Sequence, residues 1–129
     1  MRFKAAKLIR DNMIKIWKEE NIECKYKLMH DAEYTNALYA KIFEEIQEAK
    51  DAKTIEKCLS ELADALEALR CLTNEYDSDL EELIGIADKK RFEKGSYAAK
   101  IYCTEIEMDE NNPHIDHYLE KNDKYPEIK

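Results

Sequence analysis

Five carboxylates carry the strongest chemical signal in this sequence. Glu44, Glu45 and Glu48 stand together, and Glu61 and Asp64 follow after a gap of twelve residues. At about 100° per residue on a helix, Leu38, Ile42, Ile46 and Ala49 form an apolar face, and Glu45 falls within roughly 20–40° of its centre. Glu48 lies one turn on, at the edge of that face, and Lys41 one turn before Glu45. In the second stretch Ile55, Leu59, Leu62, Leu66 and Leu69 share a face. Glu61 sits about 100° away, among Cys58, Ala65, Ala68 and Leu72, with Asp64 a turn further at the rim. A carboxylate on a core-facing stripe is costly unless it is paired or holds a metal.

These side chains need two helices to hold them. Asp31 is the expected N-cap of a helix to about Ala52, and Thr54 of a second to about Glu75. The only short break between them, residues 52–54, folds them into an antiparallel hairpin. Glu48 then comes level with Glu61, and Glu45 with Asp64, to within half a turn. A shared divalent cation accounts for four carboxylates at one level, and an all-oxygen set suits Mg²⁺ or Mn²⁺ rather than Zn²⁺. Singly, either spacing is common surface decoration on acidic helices; the combination is what points to metal. A di-iron bundle needs Glu-x-x-His on two helices. His30, His114 and His117 are not so placed, and the last two fall after Pro113, where a solvated loop is expected.

Around the hairpin, Asp11 is positioned to cap a short helix through about Glu20, and Ser78 with Glu81 forms a capping box for a helix ending near Gly95. Residues 22–28 and 100–106 alternate apolar with polar, the period of a half-buried strand. One strand cannot stand alone, so the two are expected to pair as a small ribbon. The chain of 129 residues has 2 Gly and 2 Pro and no Val, a composition that reads as mainly all-α. From Asp109 onward the chain is polar and is expected to be a mobile tail or interaction arm, giving a domain over 1–108 and a tail over 109–129.

Net charge is −8, unevenly spread: +4 over residues 1–27, −11 over 28–88, +2 over 89–108 and −3 over 109–129. The acidic balance disfavours a nucleic-acid polymer as partner. No apolar run reaches the roughly 20 residues a membrane span requires, and the N-terminus lacks the apolar region of a signal peptide. No membrane association is expected. The 4 Cys form no C-x-x-C pair and are expected to be buried free thiols of a cytoplasmic protein.

The motifs resemble a known family. Glu44-Glu45-Ile46-Gln47-Glu48, twelve residues, then Glu61-Leu62-Ala63-Asp64 is similar to the E-E-x-x-E…E-x-x-D signature of the MazG-like all-α nucleotide pyrophosphohydrolases. Lys7-Leu8-Ile9-Arg10-Asp11 resembles the K-L-V-R-D opening of the small subgroup related to phosphoribosyl-ATP pyrophosphohydrolases. Lys90-Arg91-Phe92-Glu93-Lys94-Gly95-Ser96-Tyr97, with Lys100-Ile101, resembles its K-R-x-x-R-G-G-F-x-x-R-I closing segment. Ser96 replaces the usual second Gly, Tyr97 a Phe, and Lys94 and Lys100 replace Arg, which forms the better phosphate fork. The resemblance spans about residues 4–106.

The resemblance implies a four-helix MazG-like bundle and Mg²⁺-dependent hydrolysis of a nucleoside triphosphate between its α- and β-phosphates, releasing a nucleoside monophosphate and pyrophosphate. House-cleaning of non-standard nucleotides would be the role. It implies Glu45, Glu48, Glu61 and Asp64 as metal ligands, Glu44 as the residue orienting or deprotonating the attacking water, and Lys7, Arg10, Lys90, Arg91 and Lys94 as phosphate contacts. Lys41 would bind phosphate or pair with Glu45. Trp17, Tyr34, Tyr39 and Tyr97 are available to stack a base, with core packing the commoner use of each. Phosphoribosyl-ATP hydrolysis and a non-catalytic nucleotide- or protein-binding helical module are the alternatives. Broad apolar helix faces, and the family, imply a homodimer or higher homo-oligomer.

Overall fold

The computed structural model describes residues 1–129 and is mainly helical, with five helices and no strand. They are α1 (Met13–Glu19), α2 (Asp31–Asp51), α3 (Ile55–Glu75), α4 (Leu80–Lys94) and α5 (Ile115–Glu120). The chain forms two compact units, Met1–Lys94 and Gly95–Lys129.

The helix ends follow from local chemistry. Thr54 caps α3 as expected, its Oγ1 accepting a hydrogen bond from the Lys57 N–H at 3.1 Å. The other end of α3 closes in a Schellman pattern. Asp77 adopts a left-handed φ of 55°, its N–H donates to the Asn74 carbonyl, and the Ser78 N–H reaches back to Thr73. The end of α1 repeats this with Asn21 at φ 62° and the Ile22 N–H on the Trp17 carbonyl. Gly95, at φ 87°, follows the last residue of α4.

Three expected caps shift, the first at α1, where Asn12 and not Asp11 holds the N-cap position, without a side-chain bond. Asp31 is not the cap of α2; His30 holds that position without a side-chain bond, and Asp31 enters the helix at a left-handed φ of 46°. At α4 the capping group is Asp79, whose Oδ1 accepts from the Glu82 N–H at 2.8 Å. Ser78 instead donates to the Glu82 carboxylate. Asp accepts at an N-cap as well as Ser does, so adjacent Ser and Asp leave the cap ambiguous by one residue.

The expected ribbon does not form: neither 22–28 nor 100–106 is a strand. Ile22, Tyr26 and Leu28 are exposed, as are Ile101, Tyr102 and Ile106. Alternation makes a strand only where one face meets a core, and neither segment has one. The tail is not wholly irregular either. The Asn112 side chain accepts from the His114 N–H, α5 follows, and His117 and Tyr118 pack edge-on at 5.1 Å, with Tyr125 5.0 Å from Tyr118. All four cysteines are free, but none is buried.

The α2–α3 hairpin organises the first unit. Leu38 of α2, 1% exposed, packs with Ala68 and Leu72 of α3, and Leu8, Tyr34, Ile42 and Cys71 close around them. Tyr39 of α2 meets Tyr76, the residue that caps the end of α3, hydroxyl to hydroxyl at 2.8 Å. Glu45, further along α2, lies beside Glu61, earlier in α3. Advancing along one helix thus means retreating along the other, as an antiparallel pair requires. Ala49, Ala65 and Ala68 are buried and let the helices approach closely. The core is thin. One side of the hairpin meets the segment around Leu8; on the other, Phe43, Ile46, Ile55, Leu59, Leu62 and Leu66 remain exposed.

Candidate metal centre

Helix period and hairpin register bring three of the expected carboxylates together. Glu45, Glu61 and Asp64 each offer an oxygen, and the three oxygens lie within 4.8 Å of one another. Glu45 and Glu61 are each 4% exposed, and Asp64 stands at the rim. Glu48 lies on the same side but outside this group, an exposed carboxylate that lines the cleft together with Glu61.

Each clustered carboxylate has a cation of its own. Lys41 Nζ is 3.1 Å from Glu45 Oε1, Lys57 Nζ is 2.6 Å from Glu61 Oε1, and Arg10 Nη2 is 2.6 Å from Asp64 Oδ1. One atom is left over: Glu45 Oε2 is buried and has no hydrogen-bond partner. A buried orphan carboxylate oxygen is expensive. Burial first, and then the Glu61 carboxylate beside it, push Glu45 up to about 7. Glu61 is drawn well below the usual carboxylate range by its neighbours Glu45 and Lys57. A proton retained on Glu45 is the metal-free solution to this crowding.

The cluster lies on a cleft of about 680 Å³. Its walls come from α2, α3 and the chain from Lys7 to Trp17. Lys7, Arg10 and Lys41, expected at phosphate, line it together with Glu45, Glu48, Glu61 and Asp64. Arg10 is engaged with Asp64. Glu44 is half-buried, 3.3 Å from Lys41 Nζ, and is not part of the lining. Lys90, Arg91 and Lys94 are exposed on the last turns of α4 and do not line the cleft.

Of the aromatic residues, Trp17 and Tyr34 line the cleft, Tyr39 is tied to Tyr76, and Tyr97 is fully exposed in the second unit. Sequence reasoning missed Lys57, although its place four residues before Glu61 repeats that of Lys41 before Glu45. It also missed Glu67 and Cys71, one and two turns beyond Asp64 on the same side of α3.

The donor set is all oxygen, clustered and part-buried, with one oxygen unsatisfied. That is the chemistry a hard divalent cation takes, and the residues fit Mg²⁺ or Mn²⁺. No helix of the chain is long and apolar enough to cross a membrane. Comparison with family models, with curated proteins and with solved structures gives no match.

Proposed function

We propose that the chain is a Mg²⁺-dependent nucleoside triphosphate pyrophosphohydrolase, with the chemistry of the MazG-like family its motifs resemble. The observation that carries this reading is Glu45 Oε2, a buried carboxylate oxygen without a partner in a three-carboxylate cluster on an open cleft. Glu45, Glu61 and Asp64 would hold the metal, with Glu48 joining from the rim. Bound there, a divalent cation neutralises the carboxylates and polarises phosphoryl oxygens.

The chain's own residues do the rest. Lys7 and Lys41 place positive charge in the cleft, where a triphosphate otherwise meets only carboxylates. Arg10 is released to the phosphates once Asp64 is neutralised by other means. Lys41 Nζ stands 3.3 Å from Glu44 and 3.1 Å from Glu45, which ties Glu44 to the metal-holding Glu45, and Glu44 would accept the proton of the attacking water. A second copy of the chain would lay its hairpin on the apolar face of the first.

The test is a panel of ribo-, deoxy- and modified nucleoside triphosphates, and phosphoribosyl-ATP, incubated with the protein and Mg²⁺. Pyrophosphate release is expected from part of the panel. Glu45→Gln and Asp64→Asn should each lower it by at least ~100-fold, since even groups behind a ligand cost ~10–100-fold. Mg²⁺- and nucleotide-dependent stabilisation without turnover of any nucleotide would establish the non-catalytic module instead.

A further inference from the structure

The three clustered carboxylates are already matched by three cations of the chain. Lys41 Nζ holds Glu45 Oε1, Lys57 Nζ holds Glu61 Oε1 and Arg10 Nη2 holds Asp64 Oδ1. A divalent ion brought to a cluster matched charge for charge gains little net attraction while all three cations stay. The cluster nonetheless asks for a cation, since Glu45 is 4% exposed and its Oε2 has no partner. The three resident cations differ in how firmly they are held. The Lys41 side chain is 19% exposed and lies 3.3 Å from Glu44 and 3.1 Å from Glu45. Those of Lys57 and Arg10 are 64% and 58% exposed, and each has one carboxylate partner. Ion pairs between long side chains in water contribute little, so these two part at small cost. The Lys57 backbone is fixed separately, its N–H donating to Thr54 Oγ1, so the side chain can swing away without loosening the start of α3.

We propose that Lys57 and Arg10 are placeholders for the metal: they hold Glu61 and Asp64 while no divalent cation is bound, give way to it, and then grip phosphate. The inference rests on the metal site of the reading above and adds Lys57 to its phosphate contacts. Released from Glu61, Lys57 remains in a second cavity of about 590 Å³, which it lines with Lys53 and which shares Glu48 and Glu61 with the cleft. Released from Asp64, Arg10 remains in the cleft beside Lys7. Along α3, Lys57 lies one turn before Glu61, and Asp64 nearly one turn after it. The two cations therefore flank the carboxylates from either side, where a phosphate drawn to the cluster meets both. Divalent cation and phosphate then favour each other's binding, and by the same factor in both directions.

The test compares the full chain with Lys57→Gln and Arg10→Gln at pH 8. Both side chains are exposed, so folding is retained, which circular dichroism checks. Mn²⁺ binding without phosphate is read from the electron paramagnetic resonance of the free ion. Each variant lacks a competitor for its carboxylate and should bind Mn²⁺ at least ~3-fold tighter. Orthophosphate binding is read by calorimetry at saturating Mg²⁺, and each variant should bind it at least ~3-fold more weakly. A damaged fold weakens both affinities, so shifts of opposite sign mark the placeholder role. Lys57→Arg, which keeps the charge, should return both affinities toward those of the unaltered chain. Mn²⁺ affinity unchanged or weaker in either variant, or orthophosphate affinity unchanged in either, overturns the proposal. No Mn²⁺ binding by the unaltered chain removes the metal site and both readings with it. Unchanged Mn²⁺ affinity in the variants, beside pyrophosphate release by the unaltered chain, ends the placeholder role alone. Opposite shifts without pyrophosphate release from any nucleotide end the hydrolase reading alone.

Discussion

Glu45 and Glu61 share one environment and divide it unequally. Glu45, raised to about 7, keeps a proton in the folded chain that it loses near pH 4.5 when unfolded. Between those values the folded state binds more protons, so the Glu45 contribution to stability falls as pH rises from about 4.5 to about 7. Glu61 has the opposite sign: its depressed value stabilises above 4.5, and that contribution is lost as pH falls below it. In EDTA, the melting temperature should therefore decline from about pH 5 to pH 8, and Glu45→Gln should flatten the decline. Saturating Mg²⁺ should oppose it, because metal takes the place of the proton on Glu45 and releases it. A Mg²⁺-induced shift that shrinks toward pH 8 would contradict this pairing. At this scale much was legible. Glu45 and Glu61 lie on apolar stripes that helix period alone locates, and Glu48 was placed at the edge, where it is found exposed. Lys57 and the Arg10–Asp64 pair were not, because ion-pair choice depends on which cation the fold brings near.

The two long helices do the positioning, and three residues set their register. Residues 52–54 turn the chain, and the Thr54 side chain fixes where α3 begins. Removing that cap in Thr54→Ala should cost about 1 kcal/mol in urea unfolding, and should weaken Mg²⁺ binding as well if register sets the site. A loss of stability with unchanged Mg²⁺ affinity would separate cap from site. Helix bounds were readable to within a residue or two because Thr54, Gly95 and the apolar spacing all agree. The wall formed by residues 7–17 was not. That stretch carries a motif but only a seven-residue helix, and its docking beside Leu38 is a tertiary fact without a local period. The ribbon failed for the converse reason: a clear local period with no surface to cover.

Across the first unit the hairpin has two unlike sides. Residues 34, 41, 48, 64, 67 and 71 face the cleft. Rotating about the helix axes the other way reaches Phe43 and Ile46 on α2 and Ile55, Leu59, Leu62 and Leu66 on α3, all exposed. The Tyr39 and Tyr76 hydroxyls meet at 2.8 Å at one end of the hairpin. Apolar rows at helical spacing left wet mark an association surface. Sedimentation equilibrium at micromolar concentration should give a dimer or larger, and Leu59→Glu with Leu66→Glu should shift it to monomer. A wild-type monomer would contradict this arrangement. Charge divides along the same lines: the −11 middle holds the carboxylates, and the basic N-terminal stretch supplies Lys7 and Arg10 to the cleft wall. The measurement that tests the central claim most directly is ³¹P NMR of a nucleoside triphosphate turned over by the protein with Mg²⁺. The account predicts that signals of a nucleoside monophosphate and pyrophosphate grow together, and that both are lost in Glu45→Gln. A nucleoside diphosphate with orthophosphate, or a spectrum unchanged for every nucleotide tried, would contradict it.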